Sequence, residues 1–195
     1  MNTYKQNLDI PSDCTELLLA SCCAPCSVQA INELATLPLE LRVIFYNPNI
    51  YPQTEYEKRK AENKRICLDL GVKFFDFDYE PQAWNEAVKG LENEPERGKR
   101  CAICFFMRLK KVAAIANDMG IKYFSSTFGV SRYKDAAQVE KAGLSAAKYY
   151  NLNYLPLDFR KSGRQEERLA LIRQKSIYNQ DYCGCIFSKK YLQSE

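Results

Sequence analysis

Short apolar runs alternate along this chain with longer segments in which apolar residues recur every three or four positions. Residues 15–21 (TELLLAS), 41–46 (LRVIFY), 73–79 (KFFDFDY), 122–128 (KYFSSTF) and 153–157 (NYLPL) read as buried strands. Helices are predicted between them, over residues 25–35, 54–70, 101–119, 136–150 and 165–175. Pro25 sits near the first turn of one, where proline is tolerated. Gly71 and Gly120 close two others, and Gly143 interrupts a fourth. In residues 101–119, Phe105, Leu109, Val112, Ala116 and Met119 form a core-facing stripe. Residues 80–98, with the sole tryptophan Trp84, read as mixed helix and loop.

Strands and helices in this alternation predict an α/β fold, a parallel sheet covered on both faces. At 195 residues the chain suits a single domain. Residues 1–15 read as an N-terminal extension and 176–195 as a tail carrying Cys183-Gly184-Cys185.

Two compositional extremes direct the chemistry: nine cysteines and no histidine. Without histidine there is no Ser-His-Asp triad, no Cys-His pair and no familiar zinc hydrolase site. Acid–base work then falls to carboxylates, Lys, Tyr or metal-bound water. The N-terminus lacks the apolar core of a signal peptide, and no apolar stretch is long enough to span a bilayer. A cytoplasmic location is expected, with no membrane partner. There, grouped cysteines mark metal or redox chemistry more often than structural disulfides. The net charge of +4 permits a nucleic-acid partner without requiring one.

The cysteines fall into three sets, Cys22-Cys23-x-x-Cys26, Cys101-x-x-Cys104 and Cys183-Gly184-Cys185. The first set follows a strand, where ligands sit in open α/β sheets. Cys26 lies on a first helical turn, where the positive helix end lowers a thiol pKa. Cys101 and Cys104 share one side of a helix. Gly184 lets the backbone fold closely around a metal or a disulfide link. Cys67 and Cys14 read as small core residues. Zinc and iron–sulfur clusters both suit such sulfurs, and the number beyond four favours a cluster with a redox pair or second metal beside it.

The stretches SCCAPCS (21–27), FYNPNIYPQTEYEKR (45–59), GLENEPERGKRCAICFFMRL (90–109), DFRK (158–161) and YCGC (182–185) resemble the QueH family of epoxyqueuosine reductases. The resemblance implies a doubly wound parallel sheet of the adenine-nucleotide α-hydrolase-like (HUP) type, with the cysteines at the carboxyl ends of the strands. It implies reduction of the tRNA wobble-base epoxide of epoxyqueuosine to queuosine, without cobalamin. SCCAPC occupies the place of the usual pyrophosphate loop, so no ATP is expected. Cys22, Cys23, Cys101 and Cys104 would ligate a 4Fe-4S cluster. Cys183 and Cys185 would form a redox-active dithiol/disulfide, or bind a further iron or other divalent metal with Cys26. An electron donor is required.

The chain departs from the family pattern at Ala20, at Ser131-Arg132-Tyr133-Lys134 and over residues 162–170. Tyr46, Tyr51, Lys134 and Asp135 are candidate proton donors. Arg97, Lys99, Arg100, Arg132 and Lys134, with Arg160, Lys161 and Arg164, are candidate tRNA contacts. Tyr51 or Trp84 is a platform for a flipped base. Three rival readings are a zinc-stabilised RNA-binding module, a thioredoxin-like oxidoreductase using Cys23-Ala24-Pro25-Cys26, and a cluster-dependent tRNA thiolase.

Overall fold

The short apolar runs become five parallel strands in the computed structural model, which describes residues 8–77, 79–132 and 134–191. They are β1 (Glu16–Ala20), β2 (Glu40–Phe45), β3 (Lys73–Asp76), β4 (Tyr123–Ser126) and β5 (Asn153–Tyr154). The sheet order is β3-β2-β1-β4-β5, with Ala20 paired to Ile44 on one side and Ser126 on the other. From β1 the chain winds outward through α1 (Ala24–Leu34) and α2 (Gln53–Asp69) to β3. It then returns through α3 (Pro81–Ala87) and α4 (Lys99–Asp118) to β4 on the other side of β1. Right-handed crossovers in opposite directions put their helices on opposite faces. Accordingly α1 packs with α2 and with α6 (Arg164–Gln174), while α4 packs with α3 and with α5 (Ala136–Tyr150). The reversal opens a crevice beyond the carboxyl ends of β1 and β4, where ligands bind in this architecture.

The core stripe of α4 is as expected: Phe105, Leu109, Val112 and Ala116 are buried, and Met119 packs against them. Helix α5 is capped by Asp135, whose carboxylate accepts from the backbone N–H groups of Ala137 and Gln138.

Three expectations are corrected. Gly143 does not interrupt α5; it lets the helix run against the Tyr154 ring, where a Cβ would stand 2.5 Å from ring carbons. Strands β3 and β5 end sooner than expected because Phe77 and Leu155 turn away after one hydrogen bond each to neighbouring strands. The tail holds a further helix, α7 (Ile186–Tyr191), whose first turn is fixed by Ser188 donating to the Cys185 carbonyl. Residues 1–7 of the N-terminal extension, 192–195 of the tail and Tyr133 lie outside the described residues.

Candidate metal centre

The turn after β1 carries Ser21, Cys22 and Cys23 directly into α1, so Cys26 comes round on the first turn beside them. The three sulfurs lie within 4.8 Å of one another and all three residues are buried. Beneath them Ser21 Oγ bonds to Ser27 Oγ and to Asn63 Oδ1, and Ser27 Oγ lies 2.8 Å from Thr127 Oγ1. These hydroxyls pin the turn to α2 and to the end of β4.

Two cations face the triad. Lys134 Nζ lies 3.8 Å from Cys22 Sγ. Arg108 is buried on α4, four residues beyond Cys104. Its guanidinium donates to the Tyr46 carbonyl and to Asn47 Oδ1 and lies 3.7 Å over the Phe128 ring. Among the described residues no carboxylate pairs with it. Hydrogen bonds from Cys23 and Cys26 hold the Cys22 thiol well below its usual range against the effect of burial, and Lys134 and Arg108 add to this. Cys23 is pushed up to about 12, chiefly by its hydrogen bond to Cys22. Cys26 is raised through its hydrogen bonds to Cys22 and Cys23 and by burial. The thiol lowered is thus Cys22, not Cys26 as the helix end alone suggested, because Cys22 accepts hydrogen bonds from both neighbouring thiols, with Lys134 and Arg108 adding to the effect. Burial opposes the Lys134 charge, yet Cys22 and Cys183 keep it raised and protonated.

The other four cysteines gather alongside. Cys104 and Cys185 share a small apolar cluster with Trp84 and Val88, flanked by Met107 and Phe187. Burial first, then Cys183, Cys104 and Cys185, raise Cys101 to about 11. Cys183 is raised mainly by burial, opposed by Lys134, with smaller effects from Cys185, Arg108 and Cys22. All nine cysteines are free thiols, so the expected disulfide form of Cys183 and Cys185 is absent. Cys185 instead turns its Sγ toward Ser188 Oγ at 3.6 Å.

The tail is clamped from its backbone side. Arg59 is held to Glu55 at 2.6 Å and donates to the Cys183 carbonyl at 3.1 Å and the Tyr182 carbonyl at 3.3 Å. Tyr51 N–H donates to the Gly184 carbonyl at 2.8 Å, and Gln180 Nε2 lies 2.9 Å from Cys23 Sγ. Sequence reasoning missed Arg59, Arg108 and Gln180. Arg59 lies three and four residues from buried Tyr56 and Asn63, and Arg108 continues the 3-4 spacing of Cys101 and Cys104. Those spacings were a readable signal; Gln180 offered none.

The basic residues separate into two kinds. Arg97 donates to the Arg132 carbonyl at 2.9 Å, and Arg160 to the carbonyls of Ser131 and Lys134. Residues from two distant parts of the chain therefore bracket one loop, whose Lys134 reaches Cys22. Arg97, Lys99, Arg132 and Lys161 are exposed. Arg100 is not available to a phosphate: it is buried under Phe187, and its Nη1 donates to the carbonyls of Leu91, Glu92 and Glu94. Arg164 is also buried, paired with Glu33 at 2.8 Å. Of the candidate proton donors, Tyr46 donates to Glu80, Asp135 caps α5, and Tyr51 stands half exposed at the surface. Only Lys134 among them reaches a cysteine sulfur.

A model of the family described as epoxyqueuosine reductase QueH matches residues 17–191. The chain belongs to the epoxyqueuosine reductase QueH family. It is 40% identical over 189 residues to the epoxyqueuosine reductase QueH of Acinetobacter baylyi, covering 96% of this chain and 87% of that one. The QueH of Haemophilus influenzae is 41% identical over 94% of this chain and 76% of its own length. That of Thermotoga maritima is 33% identical, covering 88% and 89%. Among solved structures, the U34-tRNA thiolase NcsA from Methanococcus maripaludis with its [4Fe-4S] cluster superposes with a TM-score of 0.58 at 12% identity. The match covers 92% of this chain and 63% of the thiolase. It shows a shared fold, the doubly wound sheet expected of a QueH protein. Among the described residues, no helix is long and apolar enough to cross a membrane.

Proposed function

We propose that this chain is an iron–sulfur-dependent epoxyqueuosine reductase acting on tRNA in the cytoplasm. The observation that carries the reading is the buried triad of Cys22, Cys23 and Cys26, its sulfurs within 4.8 Å of one another and Lys134 Nζ 3.8 Å from Cys22, with Cys104 and Cys185 packed together in a second buried cluster. An all-sulfur donor set with apolar walls fits an iron–sulfur cluster, whose stability depends on buried thiolates and nearby positive charge.

In this reading Cys22, Cys23, Cys101 and Cys104 hold a 4Fe-4S cluster, and Cys183 and Cys185 form the redox pair or, with Cys26, hold a second metal. The cluster, when bound, supplies electrons singly. Conversion of the epoxide to the alkene takes up two electrons and two protons and releases the oxygen as water. In the same reading Lys134, protonated beside Cys22, donates a hydrogen bond to the epoxide oxygen and balances its charge as the C–O bonds break. The apolar wall of Trp84, Val88 and Met107 keeps water from the reacting carbons. Exposed Arg97, Lys99, Arg132 and Lys161 receive tRNA phosphates around the crevice mouth, which makes binding salt-sensitive. An external electron donor closes the cycle.

The test is anaerobic purification with visible spectrum, iron and sulfide analysis, and an assay on tRNA carrying epoxyqueuosine. A broad band near ~400 nm with matched iron and sulfide, lost on Cys→Ala changes at Cys22, Cys23, Cys101 or Cys104, supports the cluster. Retention of colour on changes at Cys183 or Cys185, with loss of turnover, supports their redox or second-metal role. A colourless protein that holds only zinc after anaerobic reconstitution, and leaves the epoxide intact, overturns the reading.

A further inference from the structure

A cavity of about 110 Å³ opens beside the tail, away from the cysteine triad. Asn49, Tyr51, Tyr79, Pro81, Trp84 and Ile186 contribute its walls. Its neighbourhood is chemically specific: Ile186 follows Cys185 directly, and Trp84 packs in one cluster with Cys104 and Cys185. An occupant would therefore be separated from Cys185 by the Trp84 ring and the Ile186 side chain.

Two features of the walls need an explanation. Trp84 and Asn49 are 3% and 4% exposed, yet Trp84 Nε1 and Asn49 Oδ1 have no hydrogen-bond partner among the described residues. Buried polar groups are nearly always paired, so an orphaned donor and an orphaned acceptor on two residues that line one cavity point to a missing partner. At its edge stands Tyr51, half exposed, although its backbone is fully engaged: its N–H goes to Gly184 and its carbonyl accepts from the Tyr182 hydroxyl. The backbone is thus used for structure and the ring is left over.

We propose that this cavity receives one nucleobase of the tRNA anticodon loop, taken out of its stack, with the Tyr51 ring as its stacking lid. The inference rests on the reading of the chain as a tRNA-modifying reductase. Nucleobase edges carry a hydrogen-bond donor beside an acceptor, as guanine does with N1–H and O6 and uracil with N3–H and O4. Asn49 Oδ1 answers the donor and Trp84 Nε1 the acceptor. Aromatic walls answer the flat apolar faces, which is how unpaired RNA bases are held by proteins.

Trp84 is the only tryptophan, so all tryptophan emission comes from the ring that lines this cavity. The full-length protein would be titrated with an anticodon stem-loop RNA carrying epoxyqueuosine, following Trp84 emission and, separately, filter binding. A saturable change in emission at the concentration where filter binding saturates is expected. Tyr51→Ala, which keeps the backbone hydrogen bonds, should weaken binding roughly 5- to 150-fold, the effect of losing a base–aromatic stack. It should raise KM in parallel. Trp84→Phe, which keeps an aromatic ring and removes the N–H, should also weaken filter binding. Flat emission with bound RNA, or a Tyr51→Ala protein with unchanged affinity and KM in an enzyme that still reduces the epoxide, overturns the slot alone. Wild-type protein that neither binds the RNA nor reduces the epoxide overturns the slot together with the reading beneath it.

Discussion

Gln180 Nε2 stands 2.9 Å from Cys23 Sγ, joining the segment before the last two cysteines to the turn after the first strand. The amide donates and the sulfur accepts, so the contact strengthens with the thiolate character a bound metal demands. Outer-shell partners of this kind change metal affinity or activity by about 10- to 100-fold when removed. Gln180→Ala should therefore lose iron and sulfide to a chelator faster than wild type. Gln180→Glu, which sets a carboxylate against the sulfur, should lose them faster still. Equal retention in all three proteins would make the contact incidental.

Arg59 is 2% exposed and its partner Glu55 11%, while the same guanidinium holds the carbonyls of Tyr182 and Cys183. Arg59→Ala removes the clamp and leaves a largely buried carboxylate without its cation, a change that costs about 3–5 kcal/mol. The backbone amides of residues 176–185 should then exchange with solvent well before those of β1 and β4. Arg59→Lys keeps the charge but not the planar fork, and should restore part of the stability and little of the protection. Unaltered exchange in the tail of Arg59→Ala would show that other contacts hold it.

Gly143→Ala sets two effects against each other. Alanine favours a helix over glycine by about 0.5–1 kcal/mol. The added Cβ would meet the Tyr154 ring at 2.5 Å, and that ring is fixed at its far end by a 2.9 Å hydrogen bond to Ser126 Oγ. Overpacking of this kind costs about 1–3 kcal/mol, so net destabilisation is expected, read as a lower urea midpoint at unchanged slope. A raised midpoint would mean that the ring yields.

Cys67 is fully buried, and burial pushes its thiol from 9.0 up to about 12. A group whose folded pKa is raised stays protonated in the native state while the unfolded chain ionises. Its contribution to stability is whole below pH 9 and is lost as pH rises through 9 toward 12. Tyr56 and Tyr154, each raised to about 12 by burial, act in the same direction over the upper part of that range. Cys67→Ala should cost about 1 kcal/mol at neutral pH, flatten the alkaline fall in urea midpoint, and leave iron content untouched. Parallel profiles for variant and wild type above pH 9 would remove Cys67 from this account.

The α/β alternation and the three cysteine sets were legible because each is a local pattern. A buried strand such as LRVIFY shows its burial in consecutive residues, and CxxC shows its geometry in a single turn. What escaped were contacts made across the fold. Arg100 and Arg164 look like the exposed arginines around them, and only tertiary packing turns them inward, one against backbone carbonyls and the other against Glu33. Helix α7 spans six residues, too few for a helical period to stand out. Cys26 illustrates a local argument outweighed: a helix N-terminus favours its thiolate, but in the folded turn Cys26 and Cys23 both hydrogen-bond to Cys22, which becomes the lowered thiol, with Lys134, distant in sequence, adding to the effect.

The clamp on the tail bears on how the protein meets oxidative damage. Since Arg59 and Tyr51 seize carbonyls rather than sulfurs, the position of Cys183 and Cys185 is set by groups that oxygen does not attack. If the proposed cluster were destroyed by oxidant, these contacts would leave the backbone that carries Cys183 and Cys185 folded in place. Repair then becomes a matter of resupplying iron, sulfide and reductant, with no need to refold the chain.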